Sequence, residues 1–199
     1  MFPPDAFEVP VCDAASDDDT PEQIRAFAAT APYTLRYLRQ EKKGPAPAHN
    51  MGIGAATAPL IVLTDDDCVP DLQLLARHAA SSSQGVATIG YIAWHPDIAV
   101  TPFMTFLSLG YRFNFAQITD PQDTTFRCFY TTNVSAWRAD LLALSDFDEG
   151  FPAAYEDIEL DCRLHKAGVR LAYDREAIIY HVHEMRLEGM LRWLSSLSC

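Results

Sequence analysis

Short apolar runs alternate with amphipathic stretches along most of the chain. Phe7 to Cys12 reads as a short buried strand, which stops at the polar turn Asp13-Ala14-Ala15-Ser16-Asp17-Asp18-Asp19-Thr20 and leads into a helix over Pro21 to Ala29. Thr34 to Arg39 alternates Leu35 and Tyr37 with polar residues and predicts a second strand. Gly44-Pro45-Ala46-Pro47 then breaks the chain, and the small residues of His49 to Thr57 suit a helix packed closely on a sheet. Pro59 to Leu63 predicts the next strand, Asp71 to Ala80 a helix, Ser81 to Gly85 a turn and Val86 to Trp94 a further strand. Strands alternating with helices are the signature of a three-layer α/β fold with a doubly wound, mostly parallel sheet.

The second half is less regular. In His95 to Asp123, the residues Phe103, Phe106, Leu107, Tyr111, Phe113 and Phe115 fit either a helix and loop over a site or plain core. Phe126 to Thr131 predicts a strand and Ala136 to Leu144 a helix. Phe147 to Phe151 is a turn, and the helix Tyr155 to Lys166 closes on Gly168 as its C′ residue. Val169 to Tyr173 and Ala177 to Tyr180 predict two strands. Glu184 to Leu197 gathers Met185, Leu187, Met190, Leu191, Trp193 and Leu194 on one helical face. That face is expected to pack on protein, with weak membrane-surface contact as the lesser alternative. No apolar run is long enough to cross a bilayer, and the first residues lack the basic and apolar regions of a signal peptide.

At 199 residues and 49% hydrophobic, the chain suits one domain. Its 15 Lys and Arg against 27 Asp and Glu give a formal charge of -12, which excludes a nucleic-acid partner. Cys12, Cys68, Cys128, Cys162 and Cys199 are scattered, odd in number and without a C-x-x-C pair. They predict neither a zinc site nor a disulfide framework. Reduced thiols suit the cytoplasm, which is the expected location.

Two acidic segments carry candidate chemistry. Asp65-Asp66-Asp67 follows an apolar strand directly, at the edge where an open α/β sheet binds its ligands. Three adjacent anions repel one another unless a hard divalent cation neutralises them; the alternative is a solvated turn that caps the next helix. Tyr155-Glu156-Asp157-Ile158-Glu159-Leu160-Asp161-Cys162-Arg163 crowds acids into the first turns of a helix. There the plain explanation is complementarity to the helix dipole, with Glu159 paired to Arg163 four residues on.

Taken in order, six segments resemble the family 2 glycosyltransferases of the GT-A fold. Asp13-Ala14-Ala15-Ser16-Asp17 stands where that family has D-D-G-S-x-D, and Ala48-His49-Asn50-Met51-Gly52-Ile53 where it has A-R-N-x-G-I. Asp65-Asp66-Asp67 matches the D-x-D motif, and Thr132 to Arg138 matches G-N-x-A-x-R-R. Phe147-Asp148-Glu149 with Glu156-Asp157, and then Ile179-Tyr180-His181-Val182-His183, complete the series.

The resemblance implies an inverting, metal-dependent transferase that moves a sugar from a nucleotide-diphosphate sugar to a hydroxyl of a saccharide or lipid-linked acceptor. Asp67, assisted by Asp65, would hold Mg²⁺ or Mn²⁺, with His181 completing the contacts and His183 as its rival. Asp66 would reach the ribose, Asp13 the base or ribose, and His49 the donor diphosphate. Asp157 would be the general base, supported by Glu156, and Asn133 and Trp137 would line the acceptor pocket. Members of the family normally begin with one more central strand and its helix. Residues 1–199 are therefore expected to be a single, N-terminally incomplete domain with unpaired strand edges, and a catalytically silent binding or scaffold domain is the alternative. His49 in place of arginine and Ala14 in place of aspartate are expected to weaken donor contacts.

Overall fold

The computed structural model describes residues 2–41, 44–108, 113, 115–124, 128–151 and 154–196. Its elements in chain order are β1 (Glu8–Asp13), α1 (Thr20–Ala28), β2 (Thr34–Arg39), α2 (Pro45–Ala55), β3 (Leu60–Thr64), β4 (Cys68–Pro70) and α3 (Leu74–Ser81). They continue with β5 (Val86–Trp94), α4 (Pro102–Phe106), β6 (Asn133–Trp137), α5 (Arg138–Ala143), α6 (Glu156–Lys166), β7 (Arg170–His181) and α7 (Leu187–Ser196).

Alternation along β6 sets the layers. Val134 and Ala136 join an apolar cluster with Ile53 of α2, Leu141 of α5 and Leu160 and Leu164 of α6. Asn133 and Ser135, on the other face, hydrogen-bond His78 of α3. Three helices thus cover one side of the sheet and α3 the other. The strand order is β3-β6-β5-β7-β4. β5 and β7 pair in parallel, while β6 pairs antiparallel with both β3 and β5, and β4 antiparallel with β7. β3, β5 and β7 therefore share one direction, as the α/β pattern predicts, but the pairings themselves are mixed.

β1 and β2 form a separate parallel pair. A polar clasp ties this pair to the segment that enters β3. The Glu8 carboxylate accepts from Thr57 N (2.6 Å), Thr57 Oγ1 (2.7 Å) and Ala58 N (3.2 Å). Arg36 bridges Glu8 (2.6 Å) and the Ala55 carbonyl (2.7 Å), satisfying a helix-end acceptor.

Several boundaries differ from the sequence reading. The expected break at Gly44-Pro45-Ala46-Pro47 supplies the first turn of α2, which runs Pro45–Ala55 rather than His49 to Thr57, since proline is tolerated in a helix's first turn. The strand placed at Phe126 to Thr131 is instead Asn133–Trp137, where the ladders to β3 and β5 form; residues 125–127 lie outside the described residues. Ala136 and Trp137 accordingly belong to that strand, and the helix begins at Arg138. The two final strands are one, β7, interrupted by an irregularity where the β5 register shifts between Gly90 and Tyr91.

This bulge is held from both sides. Asn133 Nδ2 donates to the Tyr91 and Ala177 carbonyls (3.0 and 2.9 Å), and Arg77 grips Asp174 with two bonds of 2.9 and 2.8 Å. With both amide protons committed, Asn133 Oδ1 accepts from His78 Nε2–H, and Nδ1 of that ring accepts from Ser135. Gly90 makes the packing feasible, since a Cβ there would collide with the Ala177 carbonyl and the Asn133 amide. Gly90→Ala is expected to destabilise the protein by about 3 kcal/mol or more, read as a lowered urea midpoint; an unchanged midpoint would show that the bulge can relax.

At the chain's end, Leu187 and Leu191 of α7 are 54% and 55% exposed rather than packed on the domain. Among the described residues, no helix is long and apolar enough to cross a membrane.

Candidate active site

β3 runs out of the sheet at Thr64, and the turn Asp65-Asp66-Asp67 swings the chain into β4. β4 pairs with the end of β7, which sets Cys68 directly opposite His181. Val182 N donates to the Asp67 carbonyl (2.8 Å) and extends that ladder by one rung. Directly opposed residues on paired strands project to the same face. One ligand atom each from Asp67, Cys68 and His181 consequently lies within 4.8 Å of the others.

The Asp67 carboxylate is 3.6 Å from His181 Nε2 and accepts a 3.7 Å contact from the Cys68 thiol. His181 is 2% exposed, with its ring edge-on to Trp94 at 5.6 Å. Its Nδ1 accepts from His183 N (3.3 Å), which leaves the ring proton on Nε2, facing Asp67. His183 itself lies beyond the strand and is exposed. The donor set of carboxylate, imidazole and sulfur suits a divalent cation.

Asp65 faces a different group. Its Oδ2 accepts from Thr132 Oγ1 at 2.6 Å, and its charge is felt by Glu156 and Asp157 at the start of α6. Burial raises the Glu156 carboxyl above its ordinary value, and the charges of Asp157 and Asp65 add to this. Burial likewise raises Asp157, with Asp65 contributing, against the hydrogen bond from Ile158 N (2.7 Å). Asp161, one helical turn on, is pushed up to about 8 by burial and by the charge of Asp157. Glu156 Oε2 and Asp161 Oδ2 are enclosed without a hydrogen-bond partner among the described residues. Tyr155, which opens the helix, is held in the left-handed region at φ 72°, an unusual conformation for a bulky residue. The three-residue acidic turn thus joins two groups, one at β4 and β7 and the other at α6.

Several residues do not sit where the sequence pattern suggested. Asp65 is absent from the cluster of ligand atoms, where Cys68 stands instead. Asn133 cannot present its amide to an acceptor, because all three polar positions are used at the bulge and on His78. Trp137 pairs with Leu60 at the start of β3, whereas Asn133 pairs with Thr64 at its end, so Trp137 is roughly 13 Å along the strand from the acidic turn.

Asp13 is committed to Tyr37 Oη (2.5 Å), Arg39 (2.8 Å) and Ser16 N (2.8 Å), bonds that hold its carboxyl far below the usual range. His49 packs on Phe147 with ring centroids 4.7 Å apart, and desolvation lowers its pKa to about 4. Asp66 is exposed at the tip of the turn.

The expected pair of Glu159 and Arg163 is present at 2.6 Å, and Arg163 also bonds the Leu144 and Asp146 carbonyls. These two residues line an open cleft of about 480 Å³ with Asn50, Phe147, Asp148 and Glu149. Asn50 shapes its wall by clasping the backbone of Phe147 at 2.8 and 2.9 Å. Glu159 is two residues from Asp157, so this cleft opens on a different side of α6. Thr132, Cys68 and Asp161 escaped the sequence reading. For Asp161 a signal existed, its spacing of four residues from Asp157 on one helix.

Solved structures share this architecture. The mannosyltransferase PcManGT from Pyrobaculum calidifontis, in complex with GDP-Man and Mn²⁺, superposes with a TM-score of 0.69 at 22% identity, covering 93% of this chain and 50% of that one. Staphylococcus aureus TarS in complex with UDP-GlcNAc gives 0.68 at 15% identity, covering 93% and 52%. The fold is the GT-A glycosyltransferase fold.

The family model for glycosyl transferase family 2 matches residues 2–139, and the chain belongs to that family. Validoxylamine A glucosyltransferase from Streptomyces hygroscopicus subsp. limoneus is 27% identical over 87% of this chain and 44% of its own length. Glycosyltransferase AglE from Haloferax volcanii is 31% identical over 45% of this chain and 30% of its own. The chain thus spans less than half the length of these relatives.

Proposed function

We propose that the chain carries the donor-handling and catalytic part of an inverting glycosyltransferase acting on a nucleotide-diphosphate sugar. The observation that carries this reading is the acidic turn, where Asp67 lies 3.6 Å from His181 Nε2 and the charge of Asp65 acts on Glu156 and Asp157. Solved structures of the same fold hold GDP-Man with Mn²⁺ or UDP-GlcNAc, which supports the same donor class here.

Asp67 and His181 would hold the cation, Mg²⁺ or Mn²⁺, which when bound supplies charge neutralisation at the departing diphosphate. Asp65 is oriented by Thr132 on the flank that faces α6. Asp157 accepts the proton of the acceptor hydroxyl as its oxygen bonds to the anomeric carbon and the sugar–phosphate bond breaks. A carboxyl raised by burial is the better proton acceptor, and Asp157 is raised. Glu156, its buried neighbour in sequence, would support it. A saccharide or lipid-linked hydroxyl compound is the acceptor class.

A second reading, a silent domain that keeps the fold, is favoured by the donor side. His49 is uncharged at neutral pH and Asp13 is fully engaged by its own neighbours. A panel of UDP- and GDP-sugars incubated with Mn²⁺ separates the two. The enzyme reading expects release of the nucleoside diphosphate and loss of release in Asp67→Ala. Binding without release across the panel would leave the silent domain.

A further inference from the structure

We propose that Cys68 is a direct ligand of the cation at this edge, making the site an oxygen, nitrogen and sulfur site that favours a thiophilic ion such as Zn²⁺ over Mg²⁺ or Mn²⁺. The proposal rests on the reading that a cation binds at Asp67 and His181. It adds a third ligand and ranks Zn²⁺ above the Mg²⁺ or Mn²⁺ of that reading, either of which still binds through Asp67 and His181.

Position is the first argument. Cys68 and His181 are opposed across an antiparallel ladder, and Asp67 precedes Cys68 directly, so three different donor atoms come from a single rung and its neighbour. A backbone bond from Val182 N to the Asp67 carbonyl at 2.8 Å ties the last residue of the acidic turn to the same ladder. Asp65, the residue that the acidic pattern offers as the other ligand, is instead engaged by Thr132.

Chemistry is the second. The Cys68 S–H and the His181 Nε2–H both face the Asp67 carboxylate. A cation entering among them replaces both contacts. The thiol proton leaves to solvent, the thiolate and one Asp67 oxygen bind, and the imidazole proton moves to Nδ1 so that Nε2 binds. Moving that proton displaces the long contact from His183 N, which at 3.3 Å is a weak one. A thiolate selects zinc-like ions, whereas carboxylate and water alone suit Mg²⁺ and Mn²⁺. Three protein ligands leave room in the coordination shell for a diphosphate oxygen or water.

The test is Co²⁺ added to the full chain. A sulfur-to-cobalt charge-transfer band in the near ultraviolet is expected in the wild type and absent in Cys68→Ser. In parallel, Zn²⁺ affinity should fall about 100-fold or more in Cys68→Ser, exceeding the 10–100-fold typical of outer-shell partners, while Mn²⁺ affinity changes far less. A merely structural role for Cys68 would move both ions together and would leave no band in the wild type.

Mn²⁺ or Co²⁺ binding without the band overturns the third ligand and spares the cation site. No binding of any cation overturns both. The wild-type spectrum decides the matter even if the variant folds poorly.

Discussion

Asp157→Asn is expected to lower kcat for sugar transfer by about 10²- to 10⁴-fold, the range assigned to a positioned general base. Asparagine keeps the shape and can still accept the bond from Ile158 N through its oxygen, so the fold and donor binding should persist. What it loses is a site for the acceptor's proton. The pH profile gives a second readout. Burial raises Asp157 above its ordinary value, with the Asp65 charge adding to the effect, so the acidic limb of kcat/KM should be shifted upward in the wild type. Residual activity in Asp157→Asn should lack that limb. An unchanged kcat would remove Asp157 from the chemistry.

Asp161 should govern stability near neutral pH. Its folded pKa of about 8 exceeds the ordinary aspartate value of 3.8. The folded state therefore holds a proton that the unfolded chain releases. That contribution is fully present below the unfolded value and is lost as pH rises through the folded one, at up to about 1.4 kcal/mol per pH unit between them.

His49 and His78, both lowered by burial, act in the opposite sense, losing stability as pH falls below their unfolded value. The interval from about pH 6.5 to 8 is consequently where the carboxyls dominate. Asp161→Asn stays neutral throughout. It should be more stable than the wild type by on the order of several kcal/mol at pH 8 and by much less at pH 5, measured by urea unfolding at each pH. A difference that does not grow with pH would contradict a protonated Asp161.

Much of the scaffold was legible because its signals are local. The apolar runs at β1, β2, β3 and β5 and the acid-to-base gradient of α6 each define an element within their own window, and the segment order was specific enough to indicate the family. What escaped depends on pairing across the chain. β4 has three residues and no period of its own, so nothing nearby shows that Cys68 will face His181. Cys68 therefore read as a bland thiol.

Asn133 and Trp137 share one motif, yet their strand places them at opposite ends of the sheet. A bulge on the neighbouring strands decides that the Asn133 amide turns inward. Asp13 and His49 matched the family pattern by position. Whether such a residue is available to a ligand depends on neighbours such as Tyr37, Arg39 and Phe147.

The central claim is that side chains far apart in sequence gather a cation which in turn grips the donor's diphosphate. Calorimetric titration of the protein with UDP and with GDP, each with and without Mn²⁺, tests it most directly. One of the two nucleotides should bind the wild type in the presence of Mn²⁺. Removing Mn²⁺, or replacing Asp67 by alanine, should weaken that binding by about tenfold or more. Binding that is indifferent to Mn²⁺ and to Asp67→Ala, or no binding by either nucleotide, would contradict it.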